Sequence, residues 1–146
     1  MSVAVASVVP MRADSTFSVV SMTPVSAGEL TGKVTTALAT GVSTMEKHYA
    51  GAVEGHSETL FTAAYDVARG IGTYLAMESF EGTVDGRSGT FNFAHSASTT
   101  GADRRDEFFV LVPGSGTGEL EGITGIGGLS VDADGTHRFW LDYTLG

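Results

Sequence analysis

The chain is 146 residues long, 42% hydrophobic and 17% charged, a size and balance that suit one domain with one core and count against disorder. Its formal net charge is −9 and its only lysines are Lys33 and Lys47, so it lacks the Lys/Arg stripe that a phosphate backbone demands, and nucleic acid is set aside as a partner. It has no cysteine, which removes disulfides, thiolate catalysis and cysteine-held metals.

The opening MSVAVASVVP is apolar but short, and no Lys or Arg precedes it, which counts against a secretory signal. No stretch approaches the roughly 20 apolar residues of a membrane helix, so the expectation is a cytoplasmic chain with no membrane partner. Residues 1–13 read as a flexible arm, free to pack on a neighbouring subunit of a homo-oligomer, and residues 14–146 as the single folded domain. In that domain, alternation of apolar and polar residues marks STFSVVSM, STMEKHYAG, SETLFTAAY, GTYLAMESFEGTV, GTFNFAHS, EFFVLVP, GGLSV and THRFWLDYTL as strands. The stretch ELTGKVTTAL, residues 29–38, fits either a helical turn or a further strand. No long segment keeps a 3.6-residue period. Short strands, 20 glycines and 3 prolines suit an all-β barrel or sandwich with tight turns.

Two hairpins can be built residue by residue. Asp85-Gly86 between two strands is a strong two-residue turn signal. Val84 then faces Arg87, Phe80 faces Phe91, Glu78 faces Phe93 and Ala76 faces His95, all on one face that Tyr74 joins. Glu78 and His95 become diagonal neighbours, roughly 7–8 Å apart at the backbone, within reach of their side chains. The second hairpin turns at Asp134-Gly135. It places His137, Phe139, Leu141 and Tyr143 on the inward face, with Ile126, Gly128, Ser130 and Asp132 opposite if the loop has an even number of residues.

The stretch VPGSGTGELEGITGIGG, Val112 to Gly128, tests negative for phosphate cradles. Gly116 and Gly118 lack the third glycine of the dinucleotide fingerprint because Glu121 stands there; no lysine follows Lys47 to complete a P-loop; and Ser115 lacks the flanking glycines of a nucleophile elbow. The glycines therefore serve backbone geometry, as a bulged and curved corner leading into the next strand. The wording VLVPGSGTGELEGITG, with MEKHYAGAVEGHSET, YLAMESFEGTVDGRSGTFNFAHS and DGTHRFWLDYTL, resembles a bacterial family of small domains of unknown function whose structures are allene-oxide-cyclase-like β-barrels. The resemblance implies a closed, calycin-like antiparallel barrel of about eight strands with a hydrophobic interior. Related barrels include cyclases and isomerases of unsaturated or polyketide-like molecules that work without a cofactor, which makes secondary metabolism the implied setting.

The candidate chemistry lies on the inward faces. Glu78, among aromatics, would have its pKa raised by desolvation and serve as a general acid or base. His95 beside it could pass a proton between substrate atoms. Tyr143 and Tyr74 could polarise a substrate oxygen. Phe80, Phe91, Phe93, His137 and Phe139 would shape a pocket for a small hydrophobic molecule. The catalytic candidates are thus Glu78, His95 and Tyr143, and the substrate-binding candidates are Tyr74 and that aromatic group. Glu46, Lys47 and His48 alternate in face, and which face is solvated is left open. Arg104-Arg105 reads as a solvated loop. His48, His56, His95 and His137 are too widely spaced for a recognisable metal motif, so no metal or other cofactor is expected. Ser130, His137 and Asp132 lack any feature that would activate the serine. Three functions follow: a cofactor-independent cyclase or isomerase, a binding protein that holds an apolar ligand unchanged, or a structural or assembly protein whose cavity is plugged by side chains.

Overall fold

The alternating segments form eight antiparallel strands: β1 (Met11–Pro24), β2 (Thr40–Gly51), β3 (Val53–Asp66), β4 (Ile71–Val84), β5 (Arg87–Thr100), β6 (Arg105–Leu111), β7 (Thr124–Val131) and β8 (His137–Thr144). The structure is a computed structural model that describes residues 9–26 and 34–146. The strands form a sheet in the order β6-β5-β4-β3-β2-β1-β8-β7. It curls until its edge strands meet, with Phe109 of β6 against Gly127 of β7, giving a nearly closed barrel. No helix among the described residues is long and apolar enough to cross a membrane.

The first hairpin has the register read from Asp85-Gly86. Val84 pairs with Arg87, Phe80 with Phe91, Glu78 with Phe93 and Ala76 with His95. Asp85 (φ 49°) and Gly86 (φ 82°) both take left-handed backbone, the conformation that matches the twist of the flanking strands. The second hairpin differs. Val131 pairs with His137, so residues 132–136 form the loop, held by Asp132 N–H to the Thr136 carbonyl and Gly135 N–H to the Asp132 carbonyl, both 2.9 Å. An odd loop moves the pairing by one residue. Gly127, Leu129 and Val131, not Ile126, Gly128 and Ser130, therefore share the inner side of the sheet with Leu141, Phe139 and His137, Val131 lying exposed at the cleft. Ile126 is exposed, and Gly128 lies beneath the indole of Trp140 on the outer surface, where a Cβ would collide with the ring.

Strand β1 begins at Met11 with Ala13 fully buried, so the barrel takes in the last residues of the expected arm. Residues 1–8 of that arm, and residues 27–33 in the ambiguous 29–38 stretch, lie outside the described residues; residues 34–39 carry neither helix nor strand. The glycine-rich stretch forms a loop that folds back over one end of the barrel. Asn92 N–H donates to Ser115 Oγ (2.9 Å) and Thr117 N–H to the Thr90 carbonyl (2.9 Å). A 3₁₀ turn at Gly118–Leu120 drives Leu120 and Ile123 fully inside. The stretch thus forms a capping loop rather than the expected bulged corner, and β7 pairs with β8 without a break in register.

Below this cap, Tyr49, Phe80, Phe91, Phe93 and Phe139 pack ring to ring, with neighbouring centroids 5.0–6.0 Å apart. All five are at most 3% exposed. The aromatics expected to shape a pocket therefore fill this half of the barrel as its core. The opposite half, toward the β3–β4 and β5–β6 connections, is left open by the described residues.

Candidate functional site

Where the aromatic core ends, the inward positions turn polar. Alternation carries Lys47 and Tyr49 of β2, Ser57 and Thr59 of β3, Glu78 of β4 and His95 of β5 onto the inner wall. All six are buried, and Glu78 is 0% exposed. A carboxylate so placed is tolerated only with partners, and it has four. Oε1 accepts from the Tyr49 hydroxyl (2.6 Å) and Ser57 Oγ (2.7 Å); Oε2 accepts from Lys47 Nζ (2.8 Å) and His95 Nε2 (2.5 Å). Burial pushes the Glu78 carboxyl up, but the His95 hydrogen bond and the Lys47 ammonium outweigh it and hold the pKa down at about 2. This corrects the expectation of a raised pKa: at neutral pH Glu78 is an anion that only accepts, and it does not serve as a general acid.

That charge fixes the next bond. An ionised carboxylate needs a proton from its partner, so His95 Nε2 carries the hydrogen. Burial first, and Lys47 and Arg104 with it, lower the His95 pKa against the pull of Glu78. The neutral ring then has a lone pair on Nδ1, and the Tyr74 hydroxyl 2.8 Å away is the donor. Burial raises the Tyr74 pKa, so its proton is present to donate. The Tyr74 oxygen accepts in turn from Arg104 Nη2 (3.0 Å). The result is a directed chain, Arg104 to Tyr74 to His95 to Glu78, running from the barrel mouth to its buried carboxylate. Its rings are braced: Tyr74 stacks on Phe61 (5.2 Å, 16°), and His95 lies against Phe93 (5.8 Å) and Phe109 (5.9 Å).

Tyr74 and Arg104 open onto a cleft of about 490 Å³ whose wall is largely apolar, with Met22, Phe61, Ala97 and Val131. The Glu78–His95 pairing expected from the hairpin register is present, and Tyr74 joins both to the cleft. Other candidates lie elsewhere. Tyr143 is buried beside the β4–β5 turn at the capped end, where its hydroxyl donates to Asp85 Oδ2 (2.6 Å), so it does not meet Glu78 and His95. His137 stacks on Phe17 (5.0 Å, 14°). Phe80, Phe91, Phe93 and Phe139 belong to the packed core and do not line the cleft. Arg104 is no free loop residue: besides Tyr74 it holds Glu107 Oε1 at 2.7 Å. Tyr49 and Ser57 escaped the sequence reading, and the face of Lys47 stayed open, because they come from strands whose register no tight turn revealed. The signal available was the alternation in MEKHY, which ties Lys47 to the same face as the aromatic Tyr49.

The chain is thus an eight-stranded barrel with a buried, fully coordinated carboxylate wired to a mouth-facing tyrosine. The family described as Protein of unknown function (DUF3224) matches residues 13–143, and the chain belongs to that family. The resemblance carried by VLVPGSGTGELEGITG and the last strand therefore holds. The fold is similar to that of a crystal structure from Shewanella oneidensis MR-1, a protein with unknown function from the DUF3224 family. The two share 26% identity and a TM-score of 0.77 over 94% of this chain and 98% of that one. No curated protein matches.

Proposed function

We propose that this barrel is a cofactor-independent isomerase or cyclase acting on a small hydrophobic molecule held in the cleft, and that Tyr74 is the group exchanging a proton with it. The directed hydrogen-bond chain carries this reading. A proton leaving the substrate passes to the Tyr74 oxygen, while the Tyr74 proton moves to His95 Nδ1. The imidazolium so formed faces the Glu78 carboxylate, and Arg104 faces the tyrosine oxygen. Returning the proton to a different substrate atom completes an isomerisation; a cyclisation is completed when the intervening carbanion attacks a carbonyl carbon of the same molecule, the C=O π pair moves to oxygen, and the proton returns to that oxygen. The step moves protons and calls for no redox or group-transfer cofactor. His95 and Glu78 act through Tyr74 and are positioning residues, in the manner of a nucleophile–histidine–carboxylate triad with the tyrosine at its working end.

The second reading is a binding protein. It is favoured by the four donors that already occupy Glu78, as in a purely structural ion pair. Deuterium uptake from D₂O into 4-phenylbutan-2-one, followed by NMR, separates the two. Exchange accelerated by the wild type and abolished in Tyr74→Phe supports the enzyme. Saturable binding with exchange no faster than in buffer leaves the binding protein.

A further inference from the structure

The direction of the hydrogen bonds says what the cleft presents to a ligand. The Tyr74 proton is committed to His95 Nδ1 and one of its lone pairs to Arg104. What remains toward the cleft is an acceptor. Arg104 uses Nε on Glu107 and Nη2 on Tyr74, and its Nη1 has no partner among the described residues, which makes it a permanently charged donor. The other polar groups of the cleft are largely spent. The Thr73 and Ser98 hydroxyls pair at 2.6 Å. Asp103 is taken by the Thr100 N–H (2.7 Å), the Thr99 hydroxyl (3.4 Å) and Arg105 Nε (2.8 Å). Tyr65 is half exposed at the rim. Where Tyr74 and Arg104 meet, the wall therefore offers one acceptor beside one cationic donor on an apolar background, with the Tyr65 hydroxyl further out at the rim.

Few functional groups complement that pair. A carboxylate satisfies Arg104 but turns a second acceptor toward the Tyr74 oxygen. An alcohol can donate to Tyr74 and accept from Arg104 through its one oxygen, but its proton is too weakly acidic for the relay to remove; an ammonium is repelled by the guanidinium. A hydroxyl next to a carbonyl across one conjugated carbon, as in the enol of a 1,3-dicarbonyl, satisfies both. We propose that the substrate class is an apolar molecule bearing an enolisable 1,3-dicarbonyl, bound with its enol hydroxyl on Tyr74 and its carbonyl on Arg104 and ionised there to the enolate. This rests on the proton-relay reading above and adds the substrate to it. The enol O–H bond breaks with its proton on Tyr74, the Tyr74 proton moves to His95, and the electron pair stays on the enolate, spread over two oxygens. One of these faces Arg104 and the other the new Tyr74 O–H. The charged groups around it are Arg104 with Glu107, Asp103 with Arg105, and His95 with Glu78 and Lys47.

The test is an ultraviolet titration of 1-phenylbutane-1,3-dione with the purified full chain, at a pH where the free compound is un-ionised. Two probes are matched to it in size, 1-phenylbutan-1-one and 4-phenylbutanoate. The expected result is a saturable long-wavelength enolate band. Affinity for the dione should exceed that for either matched probe by about tenfold or more, the size of one charge-assisted hydrogen bond. The band should vanish in Tyr74→Phe and in Arg104→Leu; the second substitution, at the rim, serves if the first fails to fold, as circular dichroism would reveal. Equal affinity for dione and monoketone, tighter binding of the carboxylate, or a bound dione that keeps its neutral enol spectrum would each overturn the assignment. Deuterium exchange into 4-phenylbutan-2-one without the enolate band sinks the substrate class and leaves the relay standing. The band without exchange or turnover of any ketone keeps the class and sinks the isomerase.

Discussion

Glu78 and His95 sit diagonally across the β4–β5 hairpin, and their side chains close to 2.5 Å between Oε2 and Nε2 deep in the barrel. The contact joins two networks of different character. On the Glu78 side every lone pair is matched by a donor from β2, β3 or β5, which makes that half rigid. On the His95 side the chain continues through Tyr74 to a residue that borders open space. The barrel thus anchors the proton path at its buried end and leaves its other end free to meet a ligand.

The Lys47–Glu78 ion pair sets the first prediction. Glu78→Gln removes the anion and leaves a lysine that is 4% exposed without compensation, which should cost about 3–5 kcal/mol in urea denaturation. Lys47→Met alone should also destabilise, since the carboxylate keeps only neutral donors. The double variant should lose clearly less than the two singles summed, because neither stranded charge remains. Additive losses would mean that the two side chains do not share an ion pair.

Acid should unfold the protein in two stages. The folded His95 pKa lies below its usual 6.5 and the folded Glu78 pKa, at about 2, lies below its usual 4.5. Both groups therefore bind protons more readily in the unfolded chain, and stability rises with pH across both windows. The His95 share should fade as pH falls below about 6.5. The Glu78 share, on the order of 3 kcal/mol, should fade from about 4.5 toward 2. Denaturation midpoints measured across this range should lose their upper stage in His95→Gln and keep the lower one. A midpoint flat between pH 7 and 3 would contradict the ionised Glu78.

Much of this arrangement was legible before any coordinates. Asp85-Gly86 is short enough to dictate a register, and a register on an alternating sheet dictates faces, so Glu78, His95 and Tyr74 could be placed together. The second hairpin was harder because Asp134-Gly135 is embedded in a longer loop; one residue of uncertainty there exchanged Leu129 for Ser130 on the inner wall. The face of Lys47 stayed undecided and Ser57 went unseen for the same reason, since the β2–β3 connection carries no two-residue turn signal that would align their strands. The direction of the Glu78 shift depended on those unseen donors. Burial was readable from pattern and argued for a raised pKa; the compensating cation comes from a strand whose neighbour was unknown.

If Tyr74 exchanges protons with substrate, the acid limb of the rate profile should report His95. Protonated His95 donates from Nδ1 and cannot take the Tyr74 proton, so turnover should fall as pH drops through a value below the ordinary histidine range. Tyr74→Phe should reduce turnover by about 10²–10⁴-fold, the usual size of a lost acid–base group, with affinity for an apolar monoketone, which gives Tyr74 no hydroxyl to accept from, within a few-fold of wild type. His95→Gln should flatten the acid limb as well as slow the reaction, a signature that mere loss of packing would not produce.

Tyr143 supplies a contrast within the same barrel. It is as buried as Glu78, and its pKa is pushed up to about 12, by burial first and then by the hydrogen bond to Asp85. That bond, however, ties the last strand to the β4–β5 turn at the capped end, with the aromatic core between it and the cleft. Tyr143→Phe should therefore lower stability by about 1.5–3 kcal/mol, the worth of a hydrogen bond to a charged partner, and leave ligand affinity at the cleft unchanged. Thermal melts and ligand titrations on one preparation would check both halves. Should the substitution instead weaken cleft binding by tenfold with the melting temperature intact, the capped end would have to be part of the site, and the core aromatics would have to part to admit the ligand.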